Sequence, residues 1–116
     1  MAQASKKARA GDDAGTAWID AQFLGAVYVG DAKEVQQAIK QGADIDAVHA
    51  QTGLSAIHIA VGTNNLALTR YLIEEAGARL GPDRSGRWPT VIAAECEVDE
   101  ALADYVVEAE AKLLAS

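Results

Sequence analysis

The sequence predicts an all-α solenoid of about three helix–turn–helix repeats, and three observations carry that expectation. First, the chain repeats itself. Gly42-Ala43-Asp44-Ile45-Asp46-Ala47 returns as Gly77-Ala78-Arg79-Leu80-Gly81-Pro82, 35 positions on. Gly53-Leu54-Ser55-Ala56-Ile57-His58-Ile59-Ala60 returns as Gly86-Arg87-Trp88-Pro89-Thr90-Val91-Ile92-Ala93, 33 positions on. A period near 33 suits a turn and two short helices stacked on their neighbours. Second, the 116 residues are 50% hydrophobic but only 5% aromatic. Alanine is plentiful, so helices can approach closely, whereas a β-sandwich would want more Val, Thr and aromatic residues. Third, the apolar residues between the repeated glycines recur at helical spacing.

Residues 1–15 are small, polar and glycine-containing, and predict a flexible tail. The domain proper is 16–116, divided into a first repeat at 16–49, a second at 50–82 and a C-terminal capping repeat at 83–116. A helix is expected from Thr16, with Ile19, Phe23 and Val27 on one face and Gly30-Asp31 as its end. Trp18 precedes that face and suits a lid over the open end of the stack. A second helix follows from Ala32, with Val35, Ala38 and Ile39 inward and Gly42 as its stop. The stretch 43–52 reads as an extended, turn-rich connection.

The second repeat opens on a short helix, Ser55–Gly62, burying Ile57, Ala60 and Val61. Thr63-Asn64-Asn65 forms the turn, where asparagine tolerates a left-handed backbone. Leu66–Ala76 is the next helix, with Leu68, Leu72 and Ile73 inward and Gly77 as its cap. The third repeat begins at 83–86, and Pro89 sits in the first turn of its short helix, where a missing N–H is no loss. A long last helix starts at Val98-Asp99-Glu100 and runs to about Leu114. Its expected buried stripe is Leu102, Tyr105, Val106, Ala109 and Leu113, and the acids between Glu95 and Glu110 form its wet side.

Charge narrows the partners. The formal net charge is −7. The first ten residues hold Lys6, Lys7 and Arg9 and no acid, so the remainder carries 7 basic against 17 acidic side chains, a net of −10. Such a body is repelled by phosphate backbones, which argues against nucleic acid and for a basic protein surface. Cys96 is alone, so no internal disulfide forms, and the chain reads as intracellular and, by default, cytoplasmic. No apolar run is long enough for a membrane span. The amino terminus lacks the apolar stretch of a secretory signal.

These residues carry a resemblance to ankyrin repeats. Gly53-Leu54-Ser55-Ala56-Ile57-His58-Ile59-Ala60 resembles that family's Thr-Pro-Leu-His box, with Ser55 for Thr and Ala56 for Pro. Gly86-Arg87-Trp88-Pro89 keeps the proline but has Trp88 where Thr belongs and Val91 where His belongs. Gly30-Asp31-Ala32-Lys33-Glu34-Val35 and Ala38-Ile39-Lys40-Gln41-Gly42-Ala43-Asp44 resemble the second helix and exit of a first repeat. The resemblance covers about 17–116. It implies an ankyrin-like solenoid of a first repeat without its opening box, a complete second and a degenerate third with an elongated capping helix. Two departures stand out. Glu74-Glu75-Ala76 has one residue more than the family's exit, and the last helix is longer than a family outer helix. The acidic end is what a terminal repeat needs in place of a missing neighbour. The chain is expected to be the whole protein and a monomer.

The resemblance also sets the reading of single residues. It gives His58 a structural role, bonding the backbone of neighbouring turns. Cys96 is expected as a small, semi-buried thiol between helices. No phosphate loop, Ser-His-Asp order or metal-ligand spacing assembles, so no catalytic residue, metal or cofactor is expected. The family binds through turn tips and concave helix faces. Those places hold Tyr28 and Val29 in the first repeat, Gln51, Leu54, Gly62 and Thr63 in the second, and Arg84, Arg87 and Glu95 in the third. His49 fits a binding role or idle surface. Trp88 fits either a plug in the stack or an exposed anchor. Trp and Arg are enriched at interface hot spots, which points to the 84–88 turn as a contact.

The expected function is therefore a non-enzymatic protein-binding module. An inhibitor or immunity-type protein that masks a basic surface is one form, and a scaffold or regulatory subunit is another. The rival is a small-molecule binder or enzyme using the concave groove, which would need a deep pocket with convergent polar groups.

Overall fold

The computed structural model describes the backbone of residues 8–115 and side chains from residue 18 onward. It contains α1 (Ala8–Val29), α2 (Ala32–Lys40), α3 (Ala56–Gly62), α4 (Leu66–Arg70), α5 (Pro89–Glu95) and α6 (Glu100–Ala115). A π-helical turn, Tyr71–Glu75, extends α4. Among the described residues the one β feature is an isolated antiparallel bridge between Val48 and Ser55. The all-α expectation holds.

Three helical hairpins, α1–α2, α3–α4 and α5–α6, stack through an inner row in which α1 packs on α3 and α3 on α5. Small residues set the spacing of that row. Ala26, Ala60 and Ala93 recur at the repeat period and are all buried. Around them Phe23, Val27, Ile57, Val61, Leu72, Leu102 and Val106 form the core. No helix among the described residues is long and apolar enough to cross a membrane.

Three helices begin where a side chain takes an unpaired N–H group. Asp31 accepts from the Glu34 N–H, Ser55 from the His58 N–H, and Asn65 from the Leu68 N–H. Trp88 makes no such bond for α5. There the carboxylate of Glu110, on α6, accepts the Thr90 N–H at 2.8 Å. The turn inside each hairpin needs one left-handed residue. Gly30, Asn64 and Glu97 fill that place in succession, with φ of 79°, 61° and 51°.

The surplus residue near Glu74-Glu75-Ala76 has a physical home. Ala76 N–H bonds Tyr71 C=O at 3.0 Å, a five-residue step in place of the helical four. A π turn absorbs one inserted residue without ending the helix. The continuous helix expected over 66–76 is thus an α-helix followed by this turn. Beside it, the Tyr105 hydroxyl donates to Glu74 Oε2 at 2.6 Å, and the Arg70 guanidinium lies 5.7 Å from the Tyr105 ring centre. Burial, and then the Glu74 bond, pushes the Tyr105 phenol up to about 12. This clamp ties the capping helix to the second repeat.

Four further expectations change. α1 begins at Ala8, not Thr16. The alanines at 8, 10, 14 and 17 prolong a helix already anchored by its docked face, since propagation is easier than nucleation. The part of the expected tail at 1–7 lies outside the described residues. Leu113 is exposed, because the 16-residue α6 outruns the 7-residue α5 on which it packs. Trp18 lies one position off the Ile19, Phe23 and Val27 stripe and is not a lid: it leaves 63% of its surface in water. Cys96 is exposed rather than semi-buried, as the residue that closes the end of α5.

Candidate functional site

The connection between the first and second hairpins is a tight turn whose polar groups satisfy one another. His49 N–H donates to Leu54 C=O, and Gly53 N–H donates to His49 C=O. His49 Nδ1 accepts the Thr52 N–H at 3.2 Å, and Thr52 Oγ1 accepts the Leu54 N–H at 3.3 Å. Gly53 has φ of 75°, and a Cβ there would come within 2.5 Å of the Arg84 Cβ. Only glycine fits, because the next turn packs directly against it.

This turn leaves Leu54 half-buried at the head of an open trough. Its floor is Leu24 and Ile59, its walls are Tyr28 and Leu54, and Ala21, Gly25, His49 and Thr52 complete the lining. The trough encloses about 410 Å³. A shallower continuation of about 260 Å³ shares Tyr28, Leu54 and Ile59 and reaches Thr63, Ile92, Arg87 and Cys96. Together they form a groove along the inner helices from α1 to α5. Tyr28 stands into it with 68% of its surface exposed. An exposed aromatic over an apolar floor is the composition of an interface, not of a solvated face.

The structure brings Tyr28, His49, Leu54, Thr63 and Arg87 together around this groove. Val29, Gln51, Arg84 and Trp88 do not line it. Val29 is exposed at the end of α1. Gln51 and Arg84 meet elsewhere: Arg84 Nη2 donates to Ala50 C=O at 2.9 Å and Gln51 C=O at 3.2 Å. The Arg84 side chain thereby laces the third turn to the second. Trp88 is half-buried at the entry to α5.

Arg87 has a second set of duties. Its Nε and Nη2 lie 3.0 and 2.9 Å from Asp83 Oδ2, and Nη1 lies 3.0 Å from Glu95 Oε1. Asp83, whose side chain is fully buried, also accepts the N–H groups of Ser85 and Arg87 on Oδ1. Burial alone would raise the Asp83 pKa. The Arg87 N–H and guanidinium and the Ser85 N–H outweigh it and hold the carboxyl below its ordinary range. The Asp83 bond, with help from Glu95, raises Arg87 in turn. The 83–87 turn is therefore a folded polar knot. Asp83 is the residue that reading the sequence missed, and an Asp four residues before an Arg in a turn was the available signal.

His58 joins this knot from the preceding repeat. Nε2 lies 2.7 Å from the Arg87 carbonyl, which can only accept, so Nε2 carries the proton. Nδ1 then accepts the Ser55 hydroxyl proton at 2.6 Å. The role implied by the family resemblance is what the geometry shows. The Ser55–His58 pair is a helix cap rather than a nucleophile and base. The imidazole is 2% exposed, and its far nitrogen is spent on a backbone carbonyl. Burial, the leading cause, lowers its pKa. Among the described residues, no group of three His, Cys, Asp or Glu is placed to hold a metal ion. Thr63 Oγ1, also in the groove, bonds the Ile59 and Ala60 carbonyls.

A stack of helical hairpins with an apolar groove along its inner helices defines a repeat-type binding module. The chain belongs to the ankyrin-repeat family, and the family model described as ankyrin repeats in three copies matches residues 23–115. Ankyrin repeats are in general protein–protein interaction modules and typically non-enzymatic. A search among curated proteins returns no match.

Proposed function

We propose that this protein is a non-enzymatic module that holds a partner protein along the groove from Tyr28 through Leu54 and Ile59 to Ile92. The observation that carries this reading is the exposed Tyr28 over an apolar floor. Burying such a trough favours association, and a truncated aromatic anchor typically loses about 2 kcal/mol or more. The net charge of −7 favours a partner with a basic surface over nucleic acid. Masking that surface, as an inhibitor, immunity-type or regulatory protein does, is the role that follows, and the cytoplasm is the proposed location.

The proposed contact differs from a hot spot on the 84–88 turn. Arg84 and Arg87 hold the turns together, so their truncation would disturb the scaffold before it touched a partner. The test is affinity capture from the native host with the parent chain and with Tyr28→Ser plus Leu54→Ser, each checked for helical content. The double variant is expected to fold and to lose the partner that the parent retains. A partner held equally by both would place the contact outside the groove.

A further inference from the structure

A second hollow opens beside the trough, of about 710 Å³, lined by Asp20, Asp44, Asp46 and Gln51 among others. It shares Ala21, Leu24 and His49 with the trough, so an apolar floor runs directly into a set of carboxylates. Each carboxylate spends Oδ1 on a backbone N–H. Asp20 accepts from Asp44 at 2.8 Å, Asp44 from Asp46 at 2.9 Å, and Asp46 from Arg79 at 2.9 Å. Among the described residues no lysine or arginine forms an ion pair with any of the three. This contrasts with Asp83 and Glu95, which share Arg87.

We infer that the groove recognises a partner segment in which an apolar side chain lies next to lysine or arginine. The apolar group sits between Tyr28, Leu54 and Ile59, and the cation enters the neighbouring hollow against Asp20, Asp44 and Asp46. The inference rests on the groove being the binding face, and it adds the chemistry of what binds there. Charge complementarity selects this occupant. A second copy of the chain would bring a net charge of −7 against these acids. A metal ion is disfavoured because no trio of potential ligands converges among the described residues. Asp20 is half-buried and Asp44 and Asp46 are exposed, so their attraction for a cation is greatest at low ionic strength, where it selects by sign of charge.

The test uses the full chain and synthetic peptides of equal length that alternate leucine with arginine, with serine or with glutamate, followed by fluorescence anisotropy. The leucine–arginine peptide should bind about tenfold more tightly than leucine–serine at low salt, and leucine–glutamate least. Asp20→Asn with Asp44→Asn keeps both Oδ1 acceptors for the backbone and removes two charges. It should bring the arginine peptide down to the serine level. Glu100→Gln with Glu108→Gln, both exposed on α6, removes the same two charges elsewhere and should change nothing. Tyr28→Ser with Leu54→Ser should abolish binding of every peptide.

The proposal is overturned if the Asn pair leaves the arginine preference intact, or if the Glu100 and Glu108 pair of changes erodes it equally. In either case the groove reading survives so long as the Tyr28 and Leu54 changes still abolish binding. If those changes leave binding intact, the groove reading falls and the proposal with it. No binding of any peptide at about 1 mM, the weakest affinity of interest here, rejects a linear apolar–basic segment as the occupant.

Discussion

Replacing Glu97 by glycine should stabilise the protein. Glu97 occupies the left-handed place inside the third hairpin that Gly30 and Asn64 occupy in the first two. At φ of 51° a side chain with a Cβ meets the following carbonyl, at a cost of roughly 1–2 kcal/mol. Glycine removes that clash but has about 0.4–1 kcal/mol more unfolded-state freedom to lose. The net expectation is a gain of about 0.5–1 kcal/mol, or about 2–4 °C in melting temperature for a domain of this size. Thermal melts followed by circular dichroism would read it. Glu97 lies among Glu95, Asp99 and Glu100, so losing its charge could raise stability by itself. Glu97→Ala separates the two causes, because it removes the same charge and keeps the Cβ. Alanine should give little of the glycine gain, and Asn should fall between. Equal gains for Ala and Gly would refute the backbone argument in favour of charge. A lower melting temperature for Glu97→Gly would refute the whole comparison of turns.

Two further outcomes test the stack. Ala60 is completely buried in the inner row, and enlarging it to leucine should cost roughly 1–3 kcal/mol by overpacking. An unchanged urea midpoint for Ala60→Leu would mean the inner helices are not in close register there. His58 should make stability depend on pH. Burial lowers its folded pKa below the ordinary 6.5, so the unfolded chain binds more protons as pH falls. The stabilisation is full above about pH 6.5 and is lost as pH falls through the lower folded value. Asp83 and Glu74, both lowered, lose theirs only at more acid pH, below the ordinary carboxylate range. Urea midpoints between about pH 6.5 and 5 should therefore decline in the parent and stay flat in His58→Gln. A decline that persists in His58→Gln would remove His58 as the cause.

What the sequence alone determined was local or periodic. Hairpin boundaries followed from Gly42 and Gly77, each with a positive φ that glycine adopts without penalty. Asn64 was legible as a left-handed turn residue, and it has φ of 61°. Ala26, Ala60 and Ala93 of the inner seam recur in the sequence 34 and 33 residues apart, which is the repeat period. The extra residue near Glu75 was visible as a phase slip, although its form as a π turn was not. The tertiary structure decided which polar side chains were available. Arg84, Arg87 and Trp88 looked like one basic-aromatic spot because they are neighbours in sequence. Arg84 instead reaches the Ala50 carbonyl, 34 residues away, and Arg87 is held by the buried Asp83 and by Glu95. Tyr28, Leu54 and Ile92 become one groove only when three hairpins stack. A side chain's partner across a repeat depends on how helices sit against each other, and that distance is not written in any local spacing.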